Sequence, residues 1–214
     1  MRPDDGNNEA GSFIFGLRCE VKKMQPYENS ARTIDNVQPY MFPYSFRYCI
    51  NCGTPLEERL LPSEDRPRLF CAQCGYIHYL NPKVVSGTLP VADGKIWLLR
   101  RGIEPRLGYW TYPAGFQEWD ESTEEAAIRE TREELGCEVA LDGLLGVYSR
   151  AGAPIVNVVY LAHLTHSSTP PHPTTEALEV RAFLPGDIPW SELAFPSTSQ
   201  VLKDWLASIS ADQA

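Results

Sequence analysis

The sequence predicts a mixed α/β sandwich preceded by a small β module that a metal ion closes. Three observations carry this. Apolar β-rich runs share residues 83–184 with an amphipathic helix, and a second helical pattern follows. These strands and helices do not alternate with βαβ regularity, so a mixed sheet fits better than a doubly wound parallel one. Upstream, two Cys-x-x-Cys pairs are separated by 18 residues.

Taken in order, residues 1–44 mix Gly, Asn, Asp and Pro with isolated apolar residues and show no sustained period. They read as a poorly ordered N-terminal extension, with Met41 as an alternative start. Residues 45–82 hold the cysteine pairs. Lys83–Pro90 and Lys95–Arg100 are strand-like, and Ala92-Asp93-Gly94 between them signals a hairpin. Residues 103–120 read as an aromatic loop containing Pro105, Gly108, Pro113 and Gly115. A helix is expected over 122–135, because Ser122 and Glu125 form a capping box and Gly136 suits the first position past the helix end. Leu144–Tyr148, Ile155–Leu164 and Val180–Leu184 read as strands. The Pro/Ser/Thr/His-rich stretch Ser167–Thr175 reads as a loop. Ser197–Ile209 places Val201, Leu202, Trp205, Leu206 and Ile209 at helical spacing. The expected domains are therefore 45–82 and 83–210.

The net charge of −9 excludes a basic nucleic-acid footprint at the whole-chain level. No apolar run approaches the roughly 18 residues that span a bilayer. No export signal is visible, so a cytoplasmic location is the default. Without export, paired cysteines favour a metal over disulfides. Cys49, Cys52, Cys71 and Cys74 match the spacing of a structural Zn²⁺ site with all four positions filled by thiolate. A segment this short needs the metal for its folding energy. Redox thiols or a rubredoxin-like iron site are the alternatives. Between the pairs, Arg59, Arg66 and Arg68 face four acids, which is no basic patch. Cys19 and Cys137 are unpaired by spacing.

Residues 115–137 carry eight acids against Arg129 and Arg132. The bland reading of such a run is a solvated helix face. The spacing argues otherwise. Glu130, Glu133 and Glu134, at i, i+3 and i+4, fall within an arc of about 100° and repel one another. Ile128, Thr131 and Leu135 occupy a separate arc suited to packing on a sheet. Clustered carboxylates suit Mg²⁺ or Mn²⁺.

Gly115, five residues, Glu121, seven residues, Arg129-Glu130-Thr131, one residue, Glu133-Glu134, one residue, Gly136-Cys137 resembles the Nudix box. Thr131 and Cys137 stand at its two apolar positions, and Asp120 stands where a glycine is common. Gly108-x-Trp110-x-x-Pro113-Ala114-Gly115 resembles the lead-in of that family. The resemblance implies a Nudix α/β/α sandwich with a mixed sheet, and Mg²⁺- or Mn²⁺-dependent hydrolysis of a nucleoside diphosphate linked to another group. By that resemblance Glu130, Glu133 and Glu134 ligate the metal with the Ala114 or Gly115 carbonyl, while Arg129 and Glu121 orient them. The general base is either a box glutamate or an acid of a later loop, where Glu176 is preferred to Glu179. Arg101 is a candidate phosphate contact. Trp110 and Phe116, with Tyr109, Tyr112 and Trp119 beside them, are candidates for stacking a base or flavin.

Zinc ribbon followed by Nudix domain resembles the NADH pyrophosphatase group and the related FAD and ADP-ribose pyrophosphatases. The S-Q-P-W-P-F-P-x-S array of the first group is absent, the chain reading Tyr148-Ser-Arg-Ala-Gly-Ala-Pro-Ile155 there. Asn81-Pro82-Lys83-Val84-Val85 and Leu193-Ala194-Phe195 resemble the FAD/ADP-ribose type. The expected partner is thus a small nucleotide cleaved to AMP plus a phosphate ester, with no nucleic acid, no membrane, and a homodimer left open. NADH hydrolysis, RNA cap removal and non-catalytic nucleotide sensing are the alternatives.

Overall fold

The computed structural model describes residues 46–166 and 168–211, and these lie in one compact unit. The readings made for residues 1–44 and for Cys19 fall outside the described residues.

The chain enters a three-stranded antiparallel sheet, ordered β1 (Glu57–Arg59), β2 (Arg68–Phe70), β3 (Ile77–His78). The larger sheet then begins with β4 (Lys83–Ala92) and β5 (Lys95–Arg101). Asp93 and Gly94 join them at φ 52° and 70°, the paired positive angles a two-residue hairpin turn demands. β6 (Trp110–Thr111) pairs with β5, and β7 (Ala114–Phe116) pairs with β4. Helix α1 (Thr123–Leu135) follows, then β8 (Val139–Ser149), β9 (Ile155–Leu164) and β10 (Ala177–Phe183). Two 3-10 turns, Pro185–Asp187 and Trp190–Glu192, lead to α2 (Pro196–Ala211).

The main path of the larger sheet is β10-β5-β4-β9-β8. The β4–β9 pairing is parallel and the others antiparallel, so the sheet is mixed, as the sequence predicts. Successive side chains on a strand point to opposite faces, and two cores result. Ile96 and Leu98 of β5 join Val159 of β9 and Val201, Leu202 and Trp205 of α2. Trp97 and Leu99 point the other way and join Ala162 of β9, Leu135 of α1 and Cys137. The sheet is thus sandwiched between α2 and α1.

Two differences from the expected elements have physical causes. Residues 110–111 and 114–116 are strands rather than loop. Each is too short to show a period, and Pro113 separates them. β8 starts at Val139 instead of Leu144, because irregularities between Leu141/Gly143 and Leu144/Gly146 break the alternation that marks a strand.

Candidate active site and metal centre

Two near-identical turns build the cysteine cluster. Gly53 N–H donates to the Cys49 carbonyl at 2.8 Å and Gly75 N–H to the Cys71 carbonyl at 2.9 Å. The Cys49 and Cys71 N–H groups donate to Thr54 and Tyr76. The turns bring Cys49 Sγ to 3.6 Å from Cys74 Sγ and Cys52 Sγ to 3.5 Å from Cys71 Sγ. All four sulfurs lie within 4.8 Å of one another. Sulfurs placed tetrahedrally about zinc at ~2.3 Å stand roughly 3.8 Å apart, so the donor set fits Zn²⁺. Hydrogen bonding with Thr54 draws the Cys52 thiol down to about 6 and hydrogen bonding with Tyr76 lowers the Cys74 thiol, whereas burial pushes the Cys71 thiol up to about 11, so the fit to Zn²⁺ rests on the sulfur geometry.

The acidic helix is held at both ends by its own sequence. Ser122 Oγ accepts from Glu125 N–H while Glu125 Oε2 accepts from Ser122 N–H, and Gly136 closes the helix in the left-handed region at φ 62°. Thr131, at a position usually aliphatic, is fully buried. Its hydroxyl donates to Ala127 O at 2.7 Å and meets Thr88 Oγ1 at 2.7 Å. That contact fastens α1 to β4. Asp120, for its part, is not among the non-glycine residues at positive φ, which are Asp93 and Arg106, so it needs none of glycine's freedom there.

Arg129 is the hub of the site. Its guanidinium donates to Glu121 at 2.6 and 3.0 Å, to Glu130 Oε1 at 2.6 Å, to Glu133 Oε2 at 3.2 Å and to Phe116 O at 3.1 Å. The bonds from Arg129 hold the Glu121 carboxyl down at about 2. Glu130 is half-buried, and burial raises it. Its carboxylate occupies the space over Gly115, where a Cβ would stand 2.2 Å from Glu130 Cδ. Only glycine leaves room for this carboxylate against β7. Glu134 is buried, with Oε2 accepting from Ala114 N–H at 2.8 Å. Burial pushes it up to about 8, with the Glu130 and Glu176 charges acting in the same sense, against the Ala114 bond and Arg101.

The three box carboxylates are therefore on one helix face but do not meet at a point. Among the described residues, only the four cysteines bring three or more such ligand atoms within 4.8 Å. Glu130 and Glu133 share one Arg129 nitrogen, and Glu134 turns to Ala114. The mutual repulsion that spacing predicts is relieved by the arginine and the backbone N–H.

Glu176 and Arg101 lie at the same end of the sheet. Gly102 N–H donates to Glu176 O at 2.8 Å, and Ala177 pairs with Arg101 in the β10–β5 ladder. Arg101 Nε donates to Pro105 O, and its guanidinium stacks on Phe195. Glu179 instead pairs with Arg100 and Arg181 along the strands. Phe116 is 46% exposed beneath Lys83 Nζ. Trp110 corrects the expectation of substrate stacking. It is 3% exposed, packs edge-to-face on Phe183 at 5.0 Å and is covered by Arg181. Tyr112 is buried likewise. With no open ring face, both are core residues.

The sequence did not disclose how residues 168–176 are held. Thr169 Oγ1 donates to Gly136 O at 2.9 Å, His172 N–H to Leu135 O at 2.9 Å and Thr174 Oγ1 to Glu134 O at 3.3 Å. These carbonyls close α1 and lack helical partners of their own. The segment carrying Glu176 is thereby fastened to the helix carrying Glu134. Thr and His in a Pro-rich stretch were the available signal, but nothing local names their acceptors.

Comparison with known proteins agrees with this geometry. The family model described as "NUDIX domain" matches residues 81–206, and that described as "Nudix N-terminal", a zinc ribbon, matches residues 47–80. An ADP-ribose pyrophosphatase of Methanocaldococcus jannaschii is 42% identical over 74 residues, 35% of this chain. The match spans only 44% of that relative's own length. The NAD-capped RNA hydrolase NudC of Deinococcus radiodurans is 30% identical across 97% of this chain and 73% of its own. A crystal structure of a NUDIX hydrolase from Nitrosomonas europaea superposes with a TM-score of 0.68 at 37% identity, covering 73% of this chain and 88% of that one. With relatives named for capped RNA, the expectation of no nucleic-acid partner finds no support in these comparisons. No helix among the described residues is long and apolar enough to cross a membrane. Box, sheet, helix and ribbon together lead to one assignment: the chain belongs to the NUDIX hydrolase family.

Proposed function

We propose that the chain hydrolyses the pyrophosphate bond of a nucleoside diphosphate linked to a second group, such as FAD, ADP-ribose or a related dinucleotide, giving AMP and a phosphate ester. The observation that carries this is the Glu130 carboxylate seated over Gly115 with Glu134 buried beside it. An all-oxygen donor set of Glu130, Glu133, Glu134 and the Ala114 or Gly115 carbonyl suits Mg²⁺ or Mn²⁺, which would draw the three carboxylates together. A cation there supplies charge neutralisation on the diphosphate and acidifies water. Arg129 and Glu121 fix the helix carboxylates relative to β7. Glu176, two residues past the Thr174 tie to α1 and held at its carbonyl by Gly102, takes the proton of the attacking water. Arg101 contacts phosphate, and Phe116 offers an exposed ring. Zn²⁺ in the four-cysteine cluster is structural.

A panel of FAD, ADP-ribose, NADH and nucleoside triphosphates, each with and without Mg²⁺, tests the reading. Mg²⁺-dependent AMP release from the dinucleotides is expected, and turnover of triphosphates alone overturns the substrate class. Glu134→Gln is expected to abolish Mg²⁺-dependent turnover at an unchanged unfolding midpoint, and a near-wild-type kcat would remove the metal assignment. A second reading, removal of an NAD cap from RNA, draws on the relative that matches 97% of this chain. An NAD-capped oligonucleotide in the same panel separates it.

A further inference from the structure

Ser86 lies within β4 with no exposed surface, and its hydroxyl bonds nothing among the described residues. Such a hydroxyl has lost its water and gained no bond. An alanine would fill the same space without that penalty. Thr88, two positions on, meets Thr131 Oγ1 instead. The missing partner is therefore a property of position 86 and not of every hydroxyl beneath α1.

Strand geometry fixes where that hydroxyl points. Residues two apart on a strand share a face, so Ser86 faces α1 as Thr88 does. Ser86 is also directly opposed to Gly115 in the antiparallel β4–β7 ladder. Opposed residues send their Cβ bonds to one side, about 4.5–5.5 Å apart. The place that a Gly115 Cβ would take is filled by the Glu130 carboxylate. Gly87 faces the other way, its Cβ position meeting Ala114, whose side chain packs in the core beneath α2. The unpartnered hydroxyl and the Glu130 carboxylate are thus neighbours on one face of the sheet. Glu130 Oε1 accepts from Arg129 at 2.6 Å, while among the described residues nothing donates to Oε2.

We propose that Ser86 is a positioning residue of the cation site: its hydroxyl donates to the Glu130 carboxylate, directly or through one bridging water, when that carboxylate turns from Arg129 to a divalent cation. This rests on the metal-dependent reading of α1 given above. Glu130 and Glu133 share one Arg129 nitrogen, so a carboxylate drawn towards a cation gives up part of that bond. The hydroxyl beneath supplies the replacement and fixes the orientation in which Glu130 offers its oxygen. Ser86 touches neither substrate nor reacting atoms and acts through Glu130.

The test compares the full chain with Ser86→Ala, using Mn²⁺ alone as the probe. Mn²⁺ affinity is read by calorimetry and by loss of the free-ion paramagnetic resonance signal, and thermal unfolding is followed without added Mn²⁺. The carboxylate site is the one that Glu134→Gln removes. Ser86→Ala is expected to weaken that site about tenfold, with the unfolding midpoint at or above wild type. The Mg²⁺ concentration that half-saturates turnover is expected to rise by a similar factor. Unchanged Mn²⁺ affinity in Ser86→Ala overturns the positioning role and leaves the hydrolase reading standing. An unfolding midpoint that falls together with the affinity assigns the hydroxyl to the fold and overturns the role as well. A wild type with no Mn²⁺ site sensitive to Glu134→Gln overturns the metal assignment, and the role of Ser86 with it.

Discussion

Thr131 and Thr88 stand 43 positions apart and bond hydroxyl to hydroxyl with no access to water. Removing one partner leaves a buried polar group unmatched, whereas removing both does not. Thr131→Val should therefore destabilise by about 1–3 kcal/mol, and Thr88→Val added to it should recover most of that, as a double-mutant cycle in denaturant unfolding would read. Gly115 is a harder constraint. Gly115→Ala would place a methyl where the Glu130 carboxylate lies. It should lower Mg²⁺-dependent turnover by about 10–100-fold, the usual effect of displacing a ligand's support, while thermal unfolding stays close to wild type. The residues of the box and their spacing were legible in the sequence. Their hydrogen bonds were not, because Arg129 reaches Phe116, thirteen positions upstream, only once β7 folds over the helix. Trp110 was misread for a related reason. Residue type marks an aromatic as capable of stacking, but only the tertiary fold shows whether its ring is covered.

At the scale of elements, α1 was the most legible because its ends are chemically marked. The capping box and the glycine stop are both present where the sequence places them. Ser122→Ala should cost about 1 kcal/mol, seen as a lower unfolding midpoint with Mg²⁺ affinity little changed. The hairpin at Asp93-Gly94 was equally plain, since only positive φ closes so short a turn. β6 and β7 were not legible. At two and three residues they owe their existence to the neighbouring strands, and no local pattern distinguishes them from loop. β8 was seen only in its second half, its irregularities having scrambled the alternation of faces.

At the scale of the whole molecule, the cysteine cluster and the carboxylate face of α1 offer different donors, sulfur in one and oxygen in the other. The sulfur cluster is complete in itself, and the ribbon's 3-, 3- and 2-residue strands offer little core. Metal analysis should find one Zn²⁺ per chain, and stripping it with a strong chelator should erase hydrogen-exchange protection across residues 46–80. A ribbon that stays protected without metal would refute the structural role. The mixed sheet follows from the sequence through the parallel β4–β9 pair, whose long intervening excursion contains α1. What the sequence leaves out is the bracing of residues 168–176, which form neither helix nor strand yet grip three consecutive carbonyls at the tail of α1. Such a grip counts residues as strictly as a ladder does. Across a lineage this stretch should therefore hold its length, and a hydroxyl at positions 169 and 174, while its other side chains drift, and insertions should gather instead at the hairpin tip of residues 93–94.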